Sequence, residues 1–164
     1  MFALIVKRVV LSLQLVSLVM LAGVFGDQRI PYNVPGQQTS SGQAPLAFQG
    51  NGNQIYSCGS TGAWVRVGAE AQLQGSGMSG HHYFSGNTAT FDVGSWHISA
   101  TQIGSSASRD LRRDVPSLRL QPTSGPFRLI TRSNVSGGVP QVACKAGQQN
   151  YQVPYSATYT FYYK

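Results

Sequence analysis

The clearest regularity along the chain is an alternation with a period of two. In YSATYTFYY, residues 155–163, the side chains of Tyr155, Ala157, Tyr159, Phe161 and Tyr163 fall on one side of an extended backbone, and those of Ser156, Thr158, Thr160 and Tyr162 on the other. Successive side chains of a strand point to opposite faces, so this segment predicts a strand with one buried face, central in a sheet or closing a barrel. The same period runs through TATFDV, where Ala89, Phe91 and Val93 share a side, and through SWHISA, where Trp96, Ile98 and Ala100 do. Glycine, asparagine and serine corners separate such runs, as in QGNGNQIYSCGSTGAW at 49–64. No window carries the stripe of an amphipathic helix. The pattern predicts a single all-β domain over residues 46–164, an antiparallel β-sandwich or barrel of about nine or ten strands.

Two segments of different character precede it. Residues 1–26, MFALIVKRVVLSLQLVSLVMLAGVFG, place Lys7 and Arg8 ahead of an uncharged apolar run that ends in small residues. That is the layout of a signal peptide cut before Asp27, and it predicts a secreted or periplasmic protein. The run is nearly long enough to span a bilayer, so an uncleaved anchor is the alternative and the one expected membrane contact. Residues 27–45 contain three prolines and no apolar period, and read as a flexible leader. In an oxidising compartment the two cysteines, Cys58 and Cys144, are expected as one disulfide, with two buried free thiols as the other reading.

Charge excludes more than it suggests. Only 10% of residues are charged, well below the roughly 25% of ordinary soluble proteins, so hydroxyls and amides supply most of the polarity. Loss of Lys7 and Arg8 with the signal takes the formal charge from +7 to +5. The basic residues are scattered. Their densest group, Arg109, Arg112 and Arg113, is interleaved with Asp110 and Asp114. It reads as a solvated loop whose acids neutralise the arginines, and no nucleic-acid partner is expected. GSGMSG at 75–80 has the G-x-G-x-x-G spacing, but HHYFSGNTATF follows it and a dinucleotide loop needs a helix there. The segment is read as a wide hairpin corner, with no nucleotide-dependent dehydrogenase and no cofactor implied.

Four segments together resemble a known family: NQIYSC at 53–58, the Gly80-x-His82-Tyr83 step, FRLITRSNVSGGVPQVAC at 127–144 and VPYSATYTFYYK at 153–164. They look like the uncharacterised family catalogued as domain of unknown function 3455, and the likeness covers most of residues 46–164. It implies an exported single-domain protein for which no activity is established. The chain departs from the family pattern in two places. After His82 and Tyr83 it has Phe84-Ser85-Gly86 where the family shows Ala-Gly-Pro and then a Trp, with Phe91 near the position of that Trp. Ser117 also follows Pro116 where the family shows a Trp. No ligand role of those indoles carries over.

Candidate chemistry is sparse. His81 and His82 are adjacent and so point to opposite faces. His82 shares a side with Phe84 and is expected inside, whereas His97 shares one with Ser95 and Ser99 and is expected in solvent. Asp92 and His97 make only two ligands on one face, too few for a metal site. There is no G-x-S-x-G elbow, a triad of a Ser with His82 and Asp92 would have to cross the sheet, and Glu70 with the aspartates forms no motivated glycosidase pair. No catalytic residue is therefore assigned. The tyrosines with Trp64 and Trp96 read as core or as a sugar-stacking surface. Arg128 and Arg132 lie in phase on one strand, opposite Phe127 and Leu129, placed to meet an anionic ligand or to stay wet. Asn134-Val135-Ser136 matches a glycosylation acceptor. The expectation is a non-catalytic extracytoplasmic binding or interaction module, with His82, Tyr83 and Arg132 as ligand-binding residues for a small molecule or glycan. A β-scaffold hydrolase or lyase using His82, and a structural envelope protein, are the alternatives.

Overall fold

A computed structural model of the chain describes residues 42–85 and 88–164. The signal segment expected over 1–26, and most of the leader expected over 27–45, lie outside the described residues. Eight strands follow one another: β1 (Leu46–Cys58), β2 (Trp64–Gly75), β3 (Met78–Ser85), β4 (Thr88–Val93), β5 (Trp96–Ser106), β6 (Ser117–Pro122), β7 (Phe127–Gly137) and β8 (Tyr151–Tyr163). Each pairs antiparallel with the next, and β8 pairs back onto β1 to close an up-and-down barrel. Among the described residues there is no helix. The strand count is eight rather than nine or ten because the glycine-rich stretch read as a corner near 49–53 is the middle of β1.

Those glycines are there for space. A Cβ on Gly50 would stand 2.7 Å from Cε2 of Tyr159, and one on Gly52 would collide with the Glu70 carbonyl oxygen on β2. β1 can therefore lie close to β2 and leave room for the Tyr159 ring only if it lacks side chains at these two positions. True corners look different. Gly75 and Met78 are paired, and between them Ser76 and Gly77 both have positive φ, 47° and 71°. This is a tight two-residue turn of the type whose twist suits a hairpin, so GSGMSG is narrower than the wide corner expected of it.

Strand order divides the barrel into two ends. One is closed by tight turns at Ser76–Gly77, Gly94–Ser95 and 123–126, and the other carries the longer connections 59–63, 107–116 and 138–150. Toward the turn end the interior is wholly apolar. The Phe161 ring meets Phe48, Phe91 and Phe127 edge-on at centroid separations of 5.5, 5.4 and 5.3 Å. Trp96 packs edge-on against Phe127 and Tyr163. Each fully buried ring of this kind contributes about 2–3 kcal/mol.

The loop end is held by polar ties. Cys58 and Cys144 are joined in a disulfide that links the end of β1 to the β7–β8 connection, worth roughly 4 kcal/mol by chain-entropy reasoning. Trp64 stacks on Tyr151 at 4.7 Å and donates Nε1–H to the Val142 carbonyl at 2.7 Å. In the β5–β6 connection, Asp114 Oδ1 accepts from the Gly137 amide at 2.7 Å and Asp110 Oδ1 from the Arg112 amide at 2.9 Å. These acids serve backbone donors. They do not neutralise Arg109, Arg112 and Arg113, because the one side-chain ion pair within 4.0 Å among the described residues is Asp92 with His97.

Closure of β1 onto β2 is expected to fail first when Gly52 gains a side chain. Gly52→Ala should cost about 3 kcal/mol or more in urea unfolding. Gly68→Ala, whose Cβ would meet only Ile55 at 3.6 Å, should change stability by less than about 1 kcal/mol.

Candidate functional site

Register shifts on three strands decide what the loop end contains. On β2 the register moves from Ile55↔Gly68 to Tyr56↔Arg66, which leaves Val67 as the extra residue and turns Arg66 to the Tyr56 side, facing inward. On β7 the register shifts between Phe127 and Leu129, so that Ile130 pairs with Phe161 and Arg132 with Tyr159, both inward. On β5 the extra residue is Ile103, beside Gln102. A bulge inserts one residue and re-aims everything beyond it. Unbroken alternation from Phe127 would have put Arg132 outside, and unbroken alternation from Leu73 would have buried Val67 and Val65, which instead are about half exposed.

The result is an inner cavity of about 200 Å³ between the apolar half of the barrel and the loop end. Its polar wall comes from Arg66, His82, Gln102, Arg132 and Tyr159, and its apolar wall includes Phe84, Leu118 and Leu120. It adjoins a wider vestibule under the β5–β6 connection, where Leu111, Val115 and Pro116 stand over Arg66, Gln102 and Leu118. Arg66 is exposed as a residue, yet its guanidinium sits 5.8 Å above the Phe84 ring, so the head turns into the mouth. Burial of that head, and then the charge of Arg132, lower its pKa from the ordinary arginine value.

Arg132 is the unusual member. It is 2% exposed, its Nη2 donates to the Pro116 carbonyl at 2.8 Å, and its Nε has no hydrogen-bond partner. No Asp or Glu lines the cavity among the described residues. A guanidinium stays charged at any physiological pH, and a buried charge without a counter-charge is costly. Apart from Arg66, the groups nearby are neutral. Burial raises the Tyr155 and Tyr159 phenols above their ordinary range, and their hydroxyls lie 2.8 Å apart in one hydrogen bond. Gln54, wholly buried, hydrogen-bonds through neither its oxygen nor its nitrogen, although it lies close enough to Tyr155 to favour the ionised phenol slightly.

His82 is as enclosed as Arg132. Its ring stacks on Phe91 at 4.4 Å, and Nδ1 lies 2.9 Å from the Thr90 carbonyl oxygen. A carbonyl only accepts, so Nδ1 carries the proton and Nε2 the lone pair. Burial, with smaller contributions from the charges of Arg132 and Arg66, lowers its pKa to about 4.

The three residues expected to bind ligand are not all together. His82 and Arg132 line the cavity, whereas Tyr83 faces outward beside His81, their rings 5.2 Å apart. Tyr83 is next to His82 in one unbroken strand, so the pleat itself sends it to the other face. Asp92 is outside too, its Oδ1 2.6 Å from Nδ1 of the exposed His97, and Glu70 stands opposite Tyr83 on the same outer face. The sheet thus separates His82 from both acids. Arg128 is not in phase with Arg132. The bulge leaves it outside, where its Nε donates to the Tyr163 carbonyl at 3.0 Å. Arg66 was not found by alternation, and its one signal is a bulge that no residue type announces.

The depressed pKa of His82 makes stability depend on pH. The unfolded chain, with a histidine pKa of about 6.5, takes up its proton before the folded one does as pH falls. The contribution is complete above about pH 6.5 and is lost as pH falls to about 4, a difference on the order of 3 kcal/mol. In His82→Gln, denaturation midpoints measured between pH 7 and pH 4 should fall distinctly less than those of the unaltered protein.

Neither a curated protein nor a solved structure matches the chain. The family described as Protein of unknown function (DUF3455) matches residues 74–163, from the end of β2 to the last residue of β8. The match takes in Gly80, His82 and Arg132 but leaves β1, most of β2 and therefore Arg66 outside it. Covering more than half of the chain, it places this protein in the DUF3455 family.

Proposed function

We propose that this barrel is an extracytoplasmic binding module that takes a small molecule into its interior. The observation that carries the reading is Arg132, a buried guanidinium with an unpartnered Nε, set in the wall of a cavity of about 200 Å³. Closed barrels of about eight strands are either filled by their own side chains or wide enough to hold one small ligand, and a mostly apolar cavity with a few convergent polar groups is the usual form of such a site. The size and the apolar wall favour a small molecule over a glycan. A non-catalytic role is favoured because His82 gives its Nδ1 proton to a backbone carbonyl and has no carboxylate beside it. Export is supported by the signal-like pattern of residues 1–26 and by the disulfide, a bond that persists in oxidising compartments.

If Arg132 is kept for a ligand, the empty barrel is less stable for having it. Arg132→Met, close in length and uncharged, should melt at the same temperature as the unaltered protein or up to about 4 °C higher. A screen of small aromatic and aliphatic compounds should move the methyl resonances of Leu118 and Leu120 in the unaltered protein. A fall of 10 °C or more in the variant, together with methyl signals that no compound moves, would make Arg132 a structural residue and end the binding reading.

A further inference from the structure

We infer that the cavity selects an organic monocarboxylate whose apolar body is about the size of one aromatic ring. This rests on the binding reading and adds the chemical class. The sign of the charge comes first. The two ionic groups that reach the cavity are the guanidiniums of Arg66 and Arg132, and its other polar lining groups, His82, Gln102, Thr101 and Tyr159, are neutral side chains. Inside the cavity a cationic ligand would meet only like charge, since Asp114 lines the outer vestibule and not the cavity. A neutral ligand with an oxygen could accept from the Arg132 Nε–H but would leave the buried charge uncompensated. An anion supplies both the acceptor and the counter-charge.

Shape narrows the class. A guanidinium presents its N–H donors in a planar fork that fits a carboxylate in two parallel hydrogen bonds. Arg132 already uses Nη2 on the Pro116 carbonyl at 2.8 Å, which fixes the plane of the head and leaves Nε–H open. A fully hydrated inorganic anion gains nothing from the remaining wall, where Phe84, Ala89, Ala100, Leu118 and Leu120 are apolar. Those side chains fit a hydrocarbon body. An engineered cavity of about 150 Å³ lined by such residues admits benzene, so about 200 Å³ admits a ring with a carboxylate attached. Arg66, exposed at the mouth, is placed to draw the anion in and to cover it once bound.

Calorimetric titration of the purified protein at pH 7 with benzoate, benzyl alcohol and inorganic phosphate tests the class. Benzoate should bind saturably, at least about tenfold more tightly than benzyl alcohol, and phosphate no better than benzyl alcohol. Arg132→Met should lose about tenfold or more of the benzoate affinity and keep that for benzyl alcohol. Arg66→Met, at an exposed position where folding is not at stake, should lose several-fold of the benzoate affinity together with its salt dependence. Equal binding of benzoate and benzyl alcohol, or a benzoate preference that survives both substitutions, overturns the anion inference and leaves the binding reading standing. Phosphate matching benzoate overturns the apolar body. Binding of none of the three, while other compounds still move the Leu118 and Leu120 methyl signals, removes the class alone. If nothing moves them, the binding reading falls as well.

Discussion

The pairing of β1 with β8 is the constraint on which the rest of this protein depends. It runs without a break from Leu46↔Phe161 to Tyr56↔Tyr151 and turns an open sheet into a closed one. Closure satisfies the backbone donors and acceptors of what would otherwise be two edges. It also fixes the interior volume, so every inward position competes for the same space. β1 yields that space at Gly50 and Gly52, where the Tyr159 ring and the backbone of β2 come closest. The glycines that weaken β1 as an isolated strand are what allow it to close the barrel.

Within that fixed volume the two halves have different fates. Toward the tight turns Phe48, Phe91, Phe127 and Phe161 interlock edge-on around an apolar interior. Three strands take extra residues, β2 and β5 toward the long connections and β7 at both ends. The outcome at the loop end is a lining in which two arginines and a glutamine turn inward among apolar side chains, with Val67 and Ile103 left outside. Apolar side chains in water and cations in the barrel run against what the hydrophobic effect alone would choose. Such an arrangement near the mouth departs from what packing a core alone would require.

Much of this was legible in the alternation. The face of β8 that contains Tyr155, Ala157, Tyr159 and Phe161 is the buried one, and those of β4 and β5 are as the period requires. The inward turn of His82 follows from its phase with Phe84. The disulfide follows from two cysteines and a signal-like leader. What alternation could not give are the places where it is interrupted. Arg132 was expected in phase with Arg128, and the register shift near Leu129 separates them. Arg66 was not singled out at all. Glycines at 50 and 52 resemble a turn in one dimension, because the crowding that requires them comes from Tyr159 and Glu70, distant in sequence. Asp110 and Asp114 have arginines as neighbours in the chain, but unsatisfied backbone N–H groups are nearer in space.

The electrostatics of the interior follow from one asymmetry between side chains. Histidine and tyrosine escape the cost of burial by staying neutral, and both do so here: burial lowers the pKa of His82 and raises those of Tyr155 and Tyr159. Arginine has no such escape. Arg132 therefore holds a positive charge of fixed sign in a surrounding that, apart from Arg66, has become neutral, and the Pro116 carbonyl offsets only part of its lost hydration. No change of pH in the ordinary range removes that deficit. It can be relieved by an oxyanion that enters the cavity, and the interaction is strong for the same reason that the empty state is costly, because little water remains to screen it. If the proposed ligand binds, the cation that costs the unliganded barrel stability would also give the liganded one its selectivity, and both would follow from the register shift at the start of β7.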